Sequence, residues 1–174
     1  WLNSETDELE AWQEKQILQC ADVIYNIPDK DETGLQRGTY HALRHLDIRT
    51  VWLPDYFQKY HDNRHHYRKD FKDFTEVVED CQTTFNRLLD QALPATFWTK
   101  TTLKNGKEKY EVNSVSLLYF MRLNGYHKLR DRESGETIFI RIDGNVVQRV
   151  TPADMTEFLI RWSQGKECIP GYKD

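Results

Sequence analysis

The feature that most constrains this chain is a short apolar run that stops at a proline and continues directly into acids. Residues 23–27 are Val-Ile-Tyr-Asn-Ile, Pro28 ends the run, and Asp29 and Asp31 follow. A continuous apolar run bounded by a turn signal is typical of a buried strand in a parallel sheet. Ligands of open α/β sheets bind at the carboxyl ends of such strands. The sequence therefore predicts a strand that presents two carboxylates at a ligand-binding edge.

The two aspartates have two interpretations that the motif alone leaves open. Carboxylates at Asp-x-Asp spacing can point at one hard divalent cation, Mg²⁺ or Mn²⁺. Aspartate is also favoured in turns and at helix N-caps for reasons of backbone hydrogen bonding. Gly34 and the apolar spacing after it predict a helix that starts near residue 33 and ends near residue 46, so an N-cap is expected here as well.

The surrounding pattern alternates helices and strands up to Pro94. Helices are predicted over residues 6–20 and 33–46, and strands over residues 22–28 and 48–54. This order predicts a βαβ unit with a parallel sheet and a right-handed crossover. Two further amphipathic helices follow, the first with Phe71, Phe74, Val77 and Cys81 on one face and the second with Phe85, Leu88, Leu89 and Ala92.

The segment between the second strand and these helices is rich in histidine. His61, His65 and His66 have no cysteine nearby, and pairing the first two at i,i+4 requires a helix that Asp62 and Asn63 disfavour. The segment is therefore interpreted as a solvated or phosphate-facing loop with one helical turn, and not as a zinc site.

A change of pattern near Pro94 divides the chain into two predicted domains. Residues 1–94 are predicted to form an α/β domain. Residues 95–174 are predicted to form a smaller α+β module containing a hairpin, a helix, a three-stranded meander and a closing helix. The turn signals Asn105-Gly106 and Gly144-Asn145 and the N-terminal helix signal Thr151-Pro152 support this order.

Composition narrows the class of protein. The 174 residues carry a net charge of −4, which excludes a nucleic-acid-binding protein that is basic as a whole. A local basic patch is compatible with this net charge. The three cysteines form no C-x-x-C pair, which predicts a reducing, cytoplasmic environment, and no apolar run approaches membrane-spanning length. Because the chain opens at Trp1 without a methionine, we expect it to be a fragment of a longer protein.

Residues 23–34, Val-Ile-Tyr-Asn-Ile-Pro-Asp-Lys-Asp-Glu-Thr-Gly, resemble the Asp-x-Asp motif of Toprim domains. These are the metal-binding catalytic domains of bacterial-type primases, type IA and type II topoisomerases and some nucleases. The strand end Leu53-Pro54, followed by residues 69–74, looks like the closing segment of Toprim domains in primases of mobile elements and phages. Residues 97–162 resemble, in hydrophobic pattern, the linker module before the helicase part of phage-type primase-helicases.

The resemblance implies a partial Toprim-like sheet and a metal-dependent nucleotidyl transfer that makes RNA primers in DNA replication. Asp29 and Asp31 would be catalytic and would hold Mg²⁺ or Mn²⁺, with Glu5 as the candidate within this sequence for the third acid. The expected partners are a single-stranded DNA template, nucleotides and a helicase domain or subunit, without a membrane. The implied phosphate contacts are Arg64, Arg68 and Lys69. Asp70 and Asp73 have two interpretations, as accessory acids or as acids at a helix start.

One departure from the Toprim pattern concerns the glutamate. In that family it ends an earlier strand and is usually followed by a further strand and helix before the Asp-x-Asp. Here the upstream candidate is Glu5, and a single predicted helix separates it from Asp29. Either the glutamate lies before Trp1 in a longer protein, or Glu5 ends the first strand of a shortened domain.

Two other functions share the same residues. One is a Toprim nuclease or topoisomerase-like phosphodiesterase with the same metal site. The other is a non-catalytic adaptor that docks DNA or a helicase.

Overall fold

A computed structural model describes residues 10–59 and 67–164, apart from the side chains of Ala11, Glu14 and Leu18. The helices are α1 (Ala11–Cys20), α2 (Glu32–Arg44), a 3-10 helix (Asp55–Lys59), α3 (Phe71–Val77), α4 (Cys81–Gln91), α5 (Ser114–Leu123) and α6 (Pro152–Gln164). The strands are β1 (Tyr25–Asn26), β2 (Arg49–Thr50), β3 (Trp98–Thr102), β4 (Glu108–Val112), β5 (Tyr126–Arg130), β6 (Thr137–Asp143) and β7 (Val146–Val150).

The predicted βαβ unit is confirmed. β1 and β2 pair in parallel, with Asn26 opposite Thr50, and α2 connects them. The hydrogen bonds from Arg49 N–H to Ile24 O (3.0 Å) and from Val51 N–H to Asn26 O (2.8 Å) extend the pairing beyond the two-residue strands. The strands are shorter than the apolar runs that predicted them. Pro28 and Pro54 close both runs because proline has no N–H with which to continue a ladder.

Helices cover both faces of this small sheet. On one face α2 approaches so closely that a Cβ built on Gly38 would lie 2.7 Å from Pro28 Cγ and 3.1 Å from Trp52 Cη2. On the other face a buried cluster joins Leu53 to Phe57 and Phe74. Half-buried side chains from the strand end and from α3 and α4 complete that cluster: Ile27, Val77, Val78, Cys81, Phe85 and Leu88. The first half of the chain is thus an α/β layered structure.

The chain divides into two compact units after Phe120, whereas the change of periodicity predicts a domain boundary near residue 94. Long-range contacts explain this difference. Thr96 N–H donates to Leu46 O (3.0 Å), the rings of Phe97 and Phe120 lie 5.0 Å apart, and Trp52 Nε1 donates to Tyr119 Oη (3.1 Å). These contacts join the β3–β4 hairpin and most of α5 to the first unit. Separate folding of residues 95–174 stays a prediction.

The elements after residue 94 follow the predicted order. β3 and β4 form an antiparallel hairpin, α5 follows, and β5, β6 and β7 form an antiparallel meander before α6. In the second unit the Phe158 ring of α6 lies 5.0 Å from the Tyr126 ring of β5, so the helix packs on the meander through aromatic contact. Within the described parts of the chain, no helix has the length and apolar character needed to cross a membrane.

Candidate metal site

Asp31 lies in the turn after β1 and caps the first turn of α2. Its Oδ1 accepts a hydrogen bond from Gly34 N–H at 2.8 Å, the geometry of an N-cap aspartate. Its Oδ2 lies 2.7 Å from Lys69 Nζ. The carboxylate therefore stands at the predicted carboxyl end of the strand, and it also performs the capping role that the alternative interpretation expected.

Asp29 lies at the start of the same turn and packs against α2. A Cβ built on Gly34 would lie only 2.3 Å from Asp29 O and 2.9 Å from Asp29 Cβ. The helix can approach this carbonyl because residue 34 has no side chain. The side chain of Asp29 is half-buried. Both aspartates of the motif are thus fixed relative to the N-terminus of α2.

Lys30, the residue between them, is held at three points. Its N–H donates to Lys69 O (2.6 Å) and its carbonyl accepts from Gln58 Nε2 (2.9 Å). Its ammonium forms an ion pair with Asp55 Oδ1 at 2.5 Å. The helical turn predicted within residues 55–68 is present as the 3-10 helix Asp55–Lys59. The sequence pattern gives Gln58 and Asp55 no role at the site, because their contacts with Lys30 are long-range.

Three predicted site residues, Arg68, Asp70 and Asp73, form their contacts at the start of α3 and within it. The Arg68 side chain is 15% exposed, and its Nη1 lies 2.7 Å from Glu76 Oε2 and 3.6 Å from Asp73 Oδ1. Asp70 caps α3 by accepting from Asp73 N–H (2.7 Å), and Asp73 Oδ2 accepts from Asp70 N–H (3.3 Å). This reciprocal capping box supports the helix-start interpretation of the two acids.

Lys69 connects the start of α3 with the turn that carries Asp31. Its N–H donates to Asp73 Oδ2 at 2.8 Å, and its ammonium reaches Asp31 across 38 residues of sequence. The structure therefore brings Lys69 to Asp31, with Asp29 two residues earlier in the same turn, while the Arg68 side chain pairs with Asp73 and Glu76 of α3. Two of the predicted site residues, Glu5 and Arg64, lie outside the described residues.

The electrostatics of the site favour an ionised Asp31. The hydrogen bond from Lys69 is the largest cause that lowers the pKa of this carboxyl, and the hydrogen bond from Gly34 N–H comes next, while desolvation opposes them. A pKa lowered by folding contributes stability at pH values above the ordinary aspartate pKa. That stability is lost as the pH falls through the lowered value.

We expect the substitution Lys69→Met to raise the pKa of Asp31 toward the ordinary aspartate value. It removes the largest cause of the lowered pKa and leaves the hydrogen bond from Gly34 in place. An NMR titration of the aspartate side-chain carbons measures the change. Lys72→Met is the matched control, because Lys72 is 82% exposed and, in the part of the chain that the structure describes, its nearest acid oxygen lies 4.0 Å away. An unchanged Asp31 pKa in Lys69→Met would show that the ion pair does not persist in solution.

The donors available to a metal are limited. Among residues 10–59 and 67–164, no group of three or more His, Cys, Asp or Glu side chains is arranged to hold a metal ion. The two carboxylates of the turn do not make a closed cage. They match the way Mg²⁺ is commonly bound, through one or two carboxylates together with waters and substrate phosphates.

Comparisons with protein-family models, with curated proteins and with solved structures found no match to this chain.

Proposed function

We propose that this chain is part of a DNA primase-like protein of a mobile element or phage, which synthesises RNA primers by metal-dependent nucleotidyl transfer. The observation that carries the proposal is the position of Asp29 and Asp31. Both lie in the turn after the first strand of a parallel βαβ unit, and an ammonium group lies 2.7 Å from the second carboxylate. This is the edge of a parallel sheet at which ligands bind.

Asp29 and Asp31 fit a Mg²⁺ or Mn²⁺ site in which waters and substrate phosphates fill the remaining coordination positions. Each oxygen of Asp31 accepts one of the hydrogen bonds described above, and a carboxylate oxygen has two lone pairs, so acceptor capacity remains. Asp29 is the second ligand that the resemblance implies. A bound cation would neutralise charge on the phosphates of an incoming nucleotide. With two carboxylates, the affinity for the cation alone is expected to be weak.

Lys69 has a defined role in this proposal. In the structure its ammonium neutralises Asp31. A divalent cation at Asp31 would repel that ammonium, and a nucleotide phosphate in the same place would attract it. Cation and nucleotide should therefore bind cooperatively, with Lys69 moving from the carboxylate to a phosphate oxygen.

The proposal is tested by titrating Mn²⁺ into the wild type and into the double variant Asp29→Ala/Asp31→Ala. We expect the dissociation constant for Mn²⁺ to rise at least about tenfold, which corresponds to about 1.4 kcal/mol. The control is Asp22→Ala/Asp90→Ala, which removes the same charge from two exposed acids elsewhere in the chain. Equal Mn²⁺ affinity in the wild type and the Asp29/Asp31 variant would refute the metal site.

One observation favours the non-catalytic adaptor as a second candidate. The Asp31 carboxylate already has both a backbone donor and a lysine partner, as expected of an acid with a purely structural role. ATP binding measured with and without Mn²⁺ separates the two candidates. The primase-like function requires ATP binding that depends on Mn²⁺ and weakens in the Asp29/Asp31 variant. An adaptor shows neither effect.

A further inference from the structure

The centre of the Asp-x-Asp motif is joined to two segments that follow β2. Lys30 donates its N–H to the carbonyl of Lys69 and accepts at its own carbonyl from the side chain of Gln58. The two hydrogen bonds use the N–H and the carbonyl of one residue. They connect the turn to the segment before α3 and to the 3-10 helix.

The side chain of Lys30 adds a third attachment. Its ammonium lies 2.5 Å from Asp55 Oδ1, and the side chain is only 15% exposed. The hydrogen bond from Lys30 is the largest cause that lowers the pKa of Asp55. A lysine oriented in this way is directed toward the 3-10 helix. Its contacts are those of a residue that holds a turn, unlike those of a lysine that reaches for phosphate.

The turn that contains Asp29 and Asp31 on either side of Lys30 needs contacts that hold its backbone in place. Like charges that approach one cation repel each other, so a flexible turn would separate them when no cation is present. The turn packs against Gly34 of α2. Hydrogen bonds to Gln58 and Lys69 hold its backbone at Lys30. Groups that bind a ligand are effective when rigid elements fix their positions within about 0.5 Å.

We infer that Lys30 is a positioning residue that sets the separation of the Asp29 and Asp31 carboxylates, with Gln58 and Asp55 of the 3-10 helix as its supports. This inference rests on the proposed metal-binding function and adds the residues that prepare the site before the cation arrives.

The test compares Mn²⁺ affinity in Lys30→Met, Lys30→Arg and Gln58→Met. Lys30→Met keeps the aliphatic stem but removes the charge, and we expect the Mn²⁺ dissociation constant to rise about tenfold, as is typical when a residue that orients a ligand is lost. Lys30→Arg can still pair with Asp55 and should stay within about twofold of the wild type. Gln58→Met removes the donor to the Lys30 carbonyl and should weaken Mn²⁺ binding by a similar factor. Lys59→Met, which changes an exposed neighbouring cation, is the control.

A second measurement separates positioning from general destabilisation. Amide hydrogen exchange of residues 29–31 in the metal-free protein should accelerate in Lys30→Met and in Gln58→Met, whereas exchange in α4 should not change. Because both residues act on the same turn, the effects of the two substitutions on Mn²⁺ affinity should combine to less than their sum.

The outcomes distinguish this inference from the proposed function. Loss of Mn²⁺ binding in Asp29→Ala/Asp31→Ala with unchanged binding in Lys30→Met and Gln58→Met would overturn the positioning role alone. Unchanged binding in the aspartate variant would overturn the metal site, and the positioning role with it. An equal loss of Mn²⁺ affinity in Lys30→Met and in Lys30→Arg would contradict the role of the Lys30 charge.

Discussion

Replacing Phe74 by alanine is expected to lower the free energy of unfolding by about 3–5 kcal/mol. The ring is fully buried, and its centroid lies 6.1 Å from that of Phe57 and 6.5 Å from that of Phe85. These rings come from the 3-10 helix and from α4, so the alanine variant leaves a cavity where three elements meet. Equilibrium unfolding in urea, followed by circular dichroism, measures the loss.

The matched control is Phe71→Ala, which changes the same residue type one turn earlier in α3. The side chain of Phe71 is 38% exposed, so its truncation removes less surface from the core and leaves a site open to water. We expect Phe71→Ala to lower the free energy of unfolding by less than about half of the loss expected for Phe74→Ala. Equal losses in the two variants would show that the core around Phe74 does not pack as described.

The prediction about Phe74 also bears on the site. α3 carries the Asp70–Asp73 capping box, and Asp73 Oδ2 holds the N–H of Lys69. The helix is only seven residues long, so it depends on its core contact for stability. Loss of that contact should therefore loosen the segment that presents Lys69 to Asp31.

The parallel unit could be predicted from the sequence because its signals are local. A β-branched run ended by Pro28, an acid at the helix start and a glycine within the first turn all occur inside a dozen residues. Each signal acts through the backbone of its own segment, so no tertiary information is needed to interpret it. The capping role of Asp70 was predictable for the same reason.

The contacts that complete the site could not be predicted in this way. The Lys69–Asp31 ion pair joins residues 38 positions apart, and the hydrogen bond from Gln58 to Lys30 ends on a backbone carbonyl that has no sequence signature. Arg68 illustrates the same limit. Its contact with phosphate stays a prediction, and its ion pair with Glu76 depends on where α3 begins.

The boundary between the compact units differs from the predicted one for a related reason. Pro94 marks a real change from helical to strand periodicity, and the hairpin does begin soon after it. Packing nevertheless depends on side chains that meet across the chain, such as Trp52 and Tyr119, which are 67 residues apart. Periodicity reports secondary structure, and it contains no information on such pairs.

Replacing Gly34 by alanine is expected to destabilise the protein and to weaken Mn²⁺ binding together. The added methyl would lie 2.3 Å from Asp29 O and 2.8 Å from Asp29 C, and backbone atoms cannot rotate away as a flexible side chain can. Overpacking of this kind costs about 1–3 kcal/mol or more. The higher helix propensity of alanine offsets about 1 kcal/mol of that cost. Because the overlap is with backbone, we expect a cost at the upper end of that range and a net loss of about 2 kcal/mol, measured by urea unfolding.

Two controls isolate the cause. Gln36→Ala, at an exposed position of α2, should change the free energy of unfolding by less than about 0.5 kcal/mol. Gly38→Ala places its methyl 2.7 Å from Pro28 Cγ, so it should also destabilise the protein, but without contact to Asp29.

The comparison of the two glycine variants decides whether the packing of Asp29 on α2 matters for cation binding. In Gly34→Ala the Asp29 carbonyl must move, and the N–H that caps Asp31 moves with residue 34. Both proposed ligands are then displaced, and the Mn²⁺ dissociation constant should rise about tenfold. In Gly38→Ala the turn keeps its contacts with Gly34, Gln58 and Lys69, so Mn²⁺ affinity should stay within about twofold of the wild type at temperatures where the variant is folded. Equal loss of Mn²⁺ affinity in both variants would attribute the effect to stability and would contradict a turn whose geometry is set by the first turn of α2.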